Sequence, residues 1–327
     1  MTPTRARPLA PRLTAALDTV TVRADARQAV VAGRELTAAS PRELRGILTN
    51  ALYRELHAGN TPRADASKTA PRRNARDTAL ERRYADGVPH RWAPAEGRLI
   101  GVRPHGGHLI VQLPEITTRI PADRLLDPPD PRPGDLVRLA VEAARPALSP
   151  GFFYVMGSRR PPRPAGPTRR LFVHLTGPDP ATAHWAAVLA ALERTGAGYH
   201  AKVLSDPEDF PRRDALVVYL HGDDGTAERA VTHAVLGLPG RGDDISTFTD
   251  ELAPGLAAAW DPADPRPGRR DLSFGQHRCL VLATALIDHA LGPGGRSLAE
   301  QVARAFRQAG IDPLHPAHNT TADPEDN

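Results

Sequence analysis

Between residues 169 and 221 the chain alternates short apolar β-type segments with one long helical one, and no other feature narrows its fold as much. RRLFVHLT (169–176), GYHAKVLS (198–205) and RDALVVYLH (213–221) have the length and the β-branched and aromatic content of buried strands. PATAHWAAVLAALERTG (180–196) has helical periodicity and closes on Gly196. A second helix is expected through GTAERAVTHAVLGL, then a long irregular segment, then the longest helix, SFGQHRCLVLATALIDHALG (273–292). SLAEQVARAFRQAG (297–310) completes the set.

Upstream the texture differs. Residues 1–58 read as helical, most clearly ELRGILTNALYRELH (43–57), where Leu44, Ile47, Leu48, Leu52 and Leu56 recur at helical spacing. A Gly-, Pro- and Arg-rich loop fills 59–76, and helix resumes at 77–87. From 96 to 158 short strands and Pro-rich turns dominate. The organisation expected is a helical region over 1–95 with its loop at 59–76, a small β-rich region over 96–160, a mixed domain over 168–311 and a polar tail over 312–327. Strands and helices mix without regular alternation, which makes the class α+β.

Composition excludes several functions. No apolar run is long enough to cross a membrane, and the basic N-terminus lacks the apolar core of a secretory signal, so a soluble cytoplasmic protein is expected. One cysteine, Cys279, rules out an internal disulfide framework and a multi-cysteine zinc site. The histidines of HGGH (105–108) and HPAH (315–318) lack a third ligand, so no metal is expected; no P-loop or dinucleotide glycine motif is present. Of the 42 basic residues only Lys68 and Lys202 are lysine. In a chain that writes arginine for nearly every cation, a retained lysine marks a position where arginine cannot substitute, because an amine can be tuned into a base. Lys68 lies in the polar loop; Lys202 lies in an apolar strand.

Alternation puts Arg170, Phe172 and His174 on one face of the first strand, and His200 and Lys202 on one face of the second. Arg212 and Arg213 open the third, with Tyr219 and His221 further along. Pairing these strands gathers Arg, His and Lys on one surface. Ser273 followed by Gln276 is the capping-box pattern, and Arg278 comes one turn later, where a bound anion would offset the cost of a cation near a helix start. This is the residue set of a phosphate pocket beside a basic lysine. The plainer readings are a Lys202 that snorkels to solvent, an exposed Arg212–Arg213 pair, an Arg278 paired with Asp271, a buried inert Cys279 and a Ser273 that only caps.

RRLFVHLT, GYHAKVLSDPEDFPRRDALVVYL, FTDELAPGLAAAW and DLSFGQHRC, preceded by LSPGFFYVMGS (148–158), resemble in order and spacing the HopA-type effector family. The likeness is good over roughly 148–290, weaker over 43–147 and absent from the first forty residues. Members of that family also stand beside separate kinases in actinobacterial clusters for ribosomally made peptides, including class V lanthipeptides and thioamitides. The resemblance implies a phosphothreonine/phosphoserine lyase that eliminates phosphate from a precursor (leader-core) peptide, after a cognate Ser/Thr kinase has acted, to leave dehydrobutyrine or dehydroalanine. It implies Lys202 as general base, Arg213 and Arg278 on the phosphate with Arg170 a third candidate, and His200, His174 or Tyr219 as general acid, with no cofactor. The strand is also similar to that of effector phosphothreonine lyases with Lys and His in one strand as K-x-H, but here the order is reversed, His200-Ala201-Lys202.

Two other readings compete. One is a non-catalytic HopA-like binding partner of a kinase or leader peptide, against which the full Lys–Arg–SFGxHR set argues. The other is a nucleic-acid module built on the β-rich segment and the arginine-rich loop, disfavoured because the cations are scattered and lack interleaved aromatics.

Overall fold

The computed structural model describes residues 8–59, 76–102, 107–113, 116–146, 148–159, 166–222, 225–270, 272–292 and 294–320. Lys68, Asp271 and residues 105–106 of the HGGH motif lie outside them. The described chain is α+β, with three antiparallel sheets.

The first departure from expectation comes early. Helix α1 (Pro11–Leu17) is followed by a three-stranded sheet of β1 (Val20–Val22), β2 (Gln28–Val31) and β3 (Arg34–Thr37), where helix was expected throughout 1–58. The strands are only three or four residues long, and their Ala- and Arg-rich flanks read as helix formers. The turn decides: Ala32 and Gly33 both have positive φ, at 47° and 79°, the backbone of a tight two-residue hairpin loop. Helix α2 (Pro41–Leu52) then follows as expected, capped by Ser40 and burying Leu44, Leu48 and Leu52, and runs into a π-helical turn over Tyr53–Ala58. Helix α3 spans Thr78–Asp86.

Strands β4 (Trp92–Val102), β5 (His108–Gln112), β6 (Thr117–Pro121), β7 (Leu125–Asp127) and β8 (Leu136–Glu142) form a five-stranded sheet in the order β6-β5-β4-β8-β7, with a small core of its own around Leu99, Val111 and Leu139. Strand β9 (Phe152–Met156) does not join it. It pairs instead with β11 (Tyr199–Leu204) at the edge of the large sheet, so the β-rich region expected over 96–160 gives its last strand to the C-terminal domain.

That large sheet has the order β13-β14-β10-β12-β11-β9, where β10 is Thr168–Leu175, β12 Arg212–His221, β13 Asp250–Ala253 and β14 Leu256–Trp260. The β13–β14 hairpin lies in the segment expected to be irregular. Helices α4 (Pro178–Thr195) and α5 (Thr226–Leu236) share a core with one face of the sheet, through Trp185, Val188, Val231, Leu171 and Val218. Helices α2, α6 (Phe274–Leu291) and α7 (Leu298–Gln308) share a core with the other, through Phe172, Val217, Tyr219 and Ala259.

The tail is also more than a polar extension. Ile311 bridges to Asn319, Trp260 donates its backbone N–H to Ala317 at 2.8 Å, Ala10 donates to Pro313 at 2.9 Å, and Ala317 is buried. Residues 311–320 therefore strap the C-terminus across β14 and onto α1. Within that strap the Pro316 carbonyl accepts from buried Arg278 Nε at 2.9 Å. A chain ending at Gly310 would take the Pro316 and Asn319 acceptors from that guanidinium, at a cost of about 1.5–3 kcal/mol for the stronger bond. Thermal denaturation is expected to show a clearly lower midpoint for the shortened chain.

Candidate functional site

Strand register builds one row of side chains across the sheet face that carries α6. Tyr219 of β12 lies opposite Arg170 of β10 on one side and His200 of β11 on the other. The π-faces stack in that row. The His200 and Tyr219 rings are 4.1 Å apart at 20°, and the Tyr154 ring of β9 stacks on the far side of His200 at 5.3 Å and 25°. The Arg170 guanidinium lies 4.6 Å above the Tyr219 ring and pairs with Asp261, while its buried Nε has no partner among the described residues. In the next row Lys202 lies opposite Val217 and Tyr154. Its Nζ lies 4.2 Å from the centre of the Phe152 ring, and Lys202 has no carboxylate partner among the described residues. Arg212 is 5.6 Å from the same ring, locked onto Asp214 by two 2.8 Å hydrogen bonds.

His200 lies half-buried among these groups. Burial pushes its imidazole well below the ordinary histidine range, and the charges of His221, Arg170 and Lys202 push the same way. Its Nδ1 is 2.9 Å from Nε2 of His221, whose Nδ1 is 3.1 Å from the Thr168 hydroxyl. Burial lowers His221 too, against the pull of Asp261.

Lys202, His200, Tyr219 and Arg170 thus come together, and the other expected residues do not join them in the same way. Arg278 is fully buried. Its donors meet neutral acceptors: the Pro316 carbonyl, Nδ1 of His277 at 2.8 Å and the Asn319 amide oxygen at 3.4 Å. Burial, with the neighbouring Arg170 charge, lowers it to about 9. Arg213 turns elsewhere, donating to the Glu55 carbonyl at 2.9 Å and lying 3.5 Å from Asp244. His174 joins that second group, with Nδ1 3.0 Å from the Asp244 carbonyl. His174 keeps the Arg170–Phe172 face, since Leu171, Val173 and Leu175 all enter the opposite core, but it lies four residues along β10 from Arg170, where the pairing with β12 shifts. The capping box at Ser273–Gln276 is present, and Cys279 is fully buried with its thiol pushed up by that burial. Tyr154, Phe152 and Thr168 were not singled out from the sequence. Strand alternation alone could have flagged Tyr154 within GFFYVM, whereas its pairing with Lys202 is a register fact. No described helix is long and apolar enough to cross a membrane, and no three metal-type ligands converge among the described residues.

Residues 143–318 match the HopA1 effector protein family. The chain belongs to that family. Two solved structures are similar to it. The effector protein from Pseudomonas syringae pv. syringae strain 61 is 16% identical with a TM-score of 0.41, over 52% of this chain and 63% of that one. The effector protein from Pseudomonas syringae pv. tomato strain DC3000 is 14% identical with a TM-score of 0.48, over 88% of this chain and 92% of that one. The chain thus spans somewhat under two thirds of the first structure. No curated protein sequence matches significantly.

The whole row from Tyr154 to Arg170 lies inside the HopA1 segment, but residues outside that segment brace it. From the π-helical turn, Tyr53 donates its hydroxyl to Asp214 at 2.9 Å, and His57 Nδ1 bonds the Ser246 hydroxyl at 2.9 Å. His57 also packs edge-on against Phe172. Burial lowers His57 from 6.5 to about 4, with the nearby arginines helping and Asp214 opposing. Burial likewise lowers His277, bonded to Asp264, from 6.5 to about 4.

Both histidines are neutral when folded and take up protons on unfolding between pH about 6.5 and about 4. Their contribution is present above that window and is lost as pH falls through it. The loss is of order 3 kcal/mol for each group. The melting temperature of this HopA1-family protein is expected to fall steeply between pH 6.5 and 4.5. His57→Asn is expected to flatten that slope; an unchanged slope would place the acid sensitivity elsewhere.

Proposed function

We propose that this protein is a phosphothreonine/phosphoserine lyase acting on a ribosomally made precursor peptide after a separate kinase has phosphorylated it. The observation that carries the reading is a single lysine amine, free of carboxylates among the described residues, on the same face as a buried arginine with an unpartnered Nε.

Elimination needs those elements and little else. A base removes the Cα proton, the C–H electron pair becomes the Cα=Cβ double bond, and the Cβ–O bond breaks with its electrons leaving on phosphate. Lys202 is the base in this scheme. Arginine in its place would stay protonated at every working pH. Arg170 meets the developing phosphate charge through its positive field: its guanidinium is held in place by Asp261 and the Tyr219 ring. Arg278 stands behind it and adds positive potential from a dry site, since all its described partners are neutral. Of the three general-acid candidates, His200 and Tyr219 lie in the row with Arg170, whereas His174 lies further along β10 beside Asp244.

The second reading, a HopA-like binding partner without turnover, draws support from the internal partners of Arg213 and Arg278, which reduce the free cradle to Arg170. Mass spectrometry of the precursor peptide after kinase treatment separates the two. The wild-type protein is expected to remove the mass of phosphoric acid. Lys202→Ala and Lys202→Arg are both expected to lose at least about 100-fold in rate while keeping the wild-type melting temperature. Phosphate retained by the wild type, with kinase and precursor present and a stable complex recovered, would favour the binding partner.

A further inference from the structure

Arg42 and Arg45 stand three residues apart on α2, so their side chains are neighbours on one helix face. Arg266 and Arg269 flank a tight turn over Pro267 and Gly268, whose φ is 72°, and the Arg269 N–H donates to the Arg266 carbonyl at 3.2 Å. Such a turn holds its end residues within about 7 Å of each other. The turn and the helix bring their arginines together. Burial pushes Arg269 below the ordinary arginine range, and the charges of Arg266 and Arg45 push the same way, against the pull of Asp264.

These cations are not compensated alike. Arg266 grips Asp264 through Nε at 2.8 Å and Nη2 at 2.5 Å. The same carboxylate accepts from His277 Nε2 at 2.9 Å, while His277 Nδ1 accepts from Arg278 at 2.8 Å. Asp264 is therefore committed, and a bonded chain runs from the turn to the cation behind the row. Arg45 and Arg269 are half-buried. Nε of Arg45 and one Nη of Arg269 are cut off from solvent without a hydrogen-bond partner among the described residues. Two guanidiniums that have lost hydration beside a third gain from an anion at their open edges. The charge count chooses the anion. A carboxylate would cancel one of the two positive charges, whereas a phosphate monoester, at about −1.5 to −2 near pH 7, would match both.

We propose that Arg45 and Arg269 form a second anion site, apart from the Lys202 row, that holds one phosphate monoester of the peptide while another reacts in the row. The peptide's identity rests on the lyase reading; the affinity for phosphate does not. A precursor phosphorylated at several Ser and Thr residues would be held at two points, and the second contact then forms within an existing complex.

Binding is measured with full-length Lys202→Ala and precursor peptides carrying one phosphothreonine, or two at several spacings. The second phosphate is expected to tighten Kd about tenfold or more at the best spacing. Glutamate in its place is expected to give less than about threefold, as a single charge would. Arg45→Gln with Arg269→Gln is expected to abolish the gap between singly and doubly phosphorylated peptides. Arg45→Lys with Arg269→Lys keeps the charge, controls for folding and is expected to retain part of the gap. The absence of a gap at every spacing would overturn the proposal, and so would a gap that survives the double glutamine exchange. A gap that appears only after Asp271→Asn would also overturn it, because Asp271 would then be the counter-ion of the pair. Inorganic phosphate that raises the melting temperature through these two arginines, with no peptide gap, would assign the site to the free ion instead. A peptide gap in a protein whose wild type eliminates no phosphate would sink the lyase reading and leave the site standing.

Discussion

The double pairing of β12 is the constraint on which the site depends. Because Tyr219 lies opposite both Arg170 and His200, one antiparallel register aligns a cation, a phenol and an imidazole across three strands, and β9 adds Tyr154 at the edge. A slip by one residue on β11 would turn His200 and Lys202 to the face packed by α4 and α5, where Leu171, Val218 and Ala201 allow no charge. The apolar alternation of β12, with Leu216, Val218 and Leu220 on one face and Val217 and Tyr219 on the other, prevents that slip. Core packing and site assembly are therefore one requirement.

The same face shows how two kinds of buried arginine differ. Arg212 is compensated by Asp214 and braced by Tyr53, so its charge is spent inside the protein. Arg278 and Arg170 are not matched in that way. Arg278 has only neutral acceptors, Asp264 is taken by Arg266 and His277, and Asp261 is left to serve Arg170. Two neighbouring buried cations sharing one nearby free carboxylate leave uncompensated positive potential, and an anion relieves it. The depression of Arg278 to about 9 expresses the same strain from the proton's side.

Much of this was legible in the chain and some of it could not be. The three strands, the long helices and the Ser273 cap follow from local pattern and fall within a residue or two of their observed limits. Arg170, His200, Lys202 and Tyr219 emerged because i, i+2 alternation survives wherever a strand is regular. His174 stands apart because it lies four residues along β10 from Arg170, beside Asp244, and alternation gives the face of a side chain but not its row. Arg213 failed because its direction is set by Glu55 and Asp244, which are remote in sequence. The β1–β3 sheet was hidden by short strands in an Ala- and Arg-rich stretch. The strap over 311–320 was hidden because its contacts use backbone groups, on which side-chain polarity says nothing.

Lysine at position 202 is the remaining argument, and it turns on what arginine could not do there. Arg212 shares the Phe152 ring with it, so the site accommodates a guanidinium at that distance, and neither room nor charge excludes arginine. What distinguishes the two is that an amine can give up its proton and a guanidinium cannot. A surface cation would gain nothing from that difference; a group that must take a proton from carbon depends on it. The lysine is placed over an aromatic ring, away from described carboxylates, with the Arg170 cation in the row above. The π-face of the Phe152 ring attracts the lysine cation and holds its side chain in place.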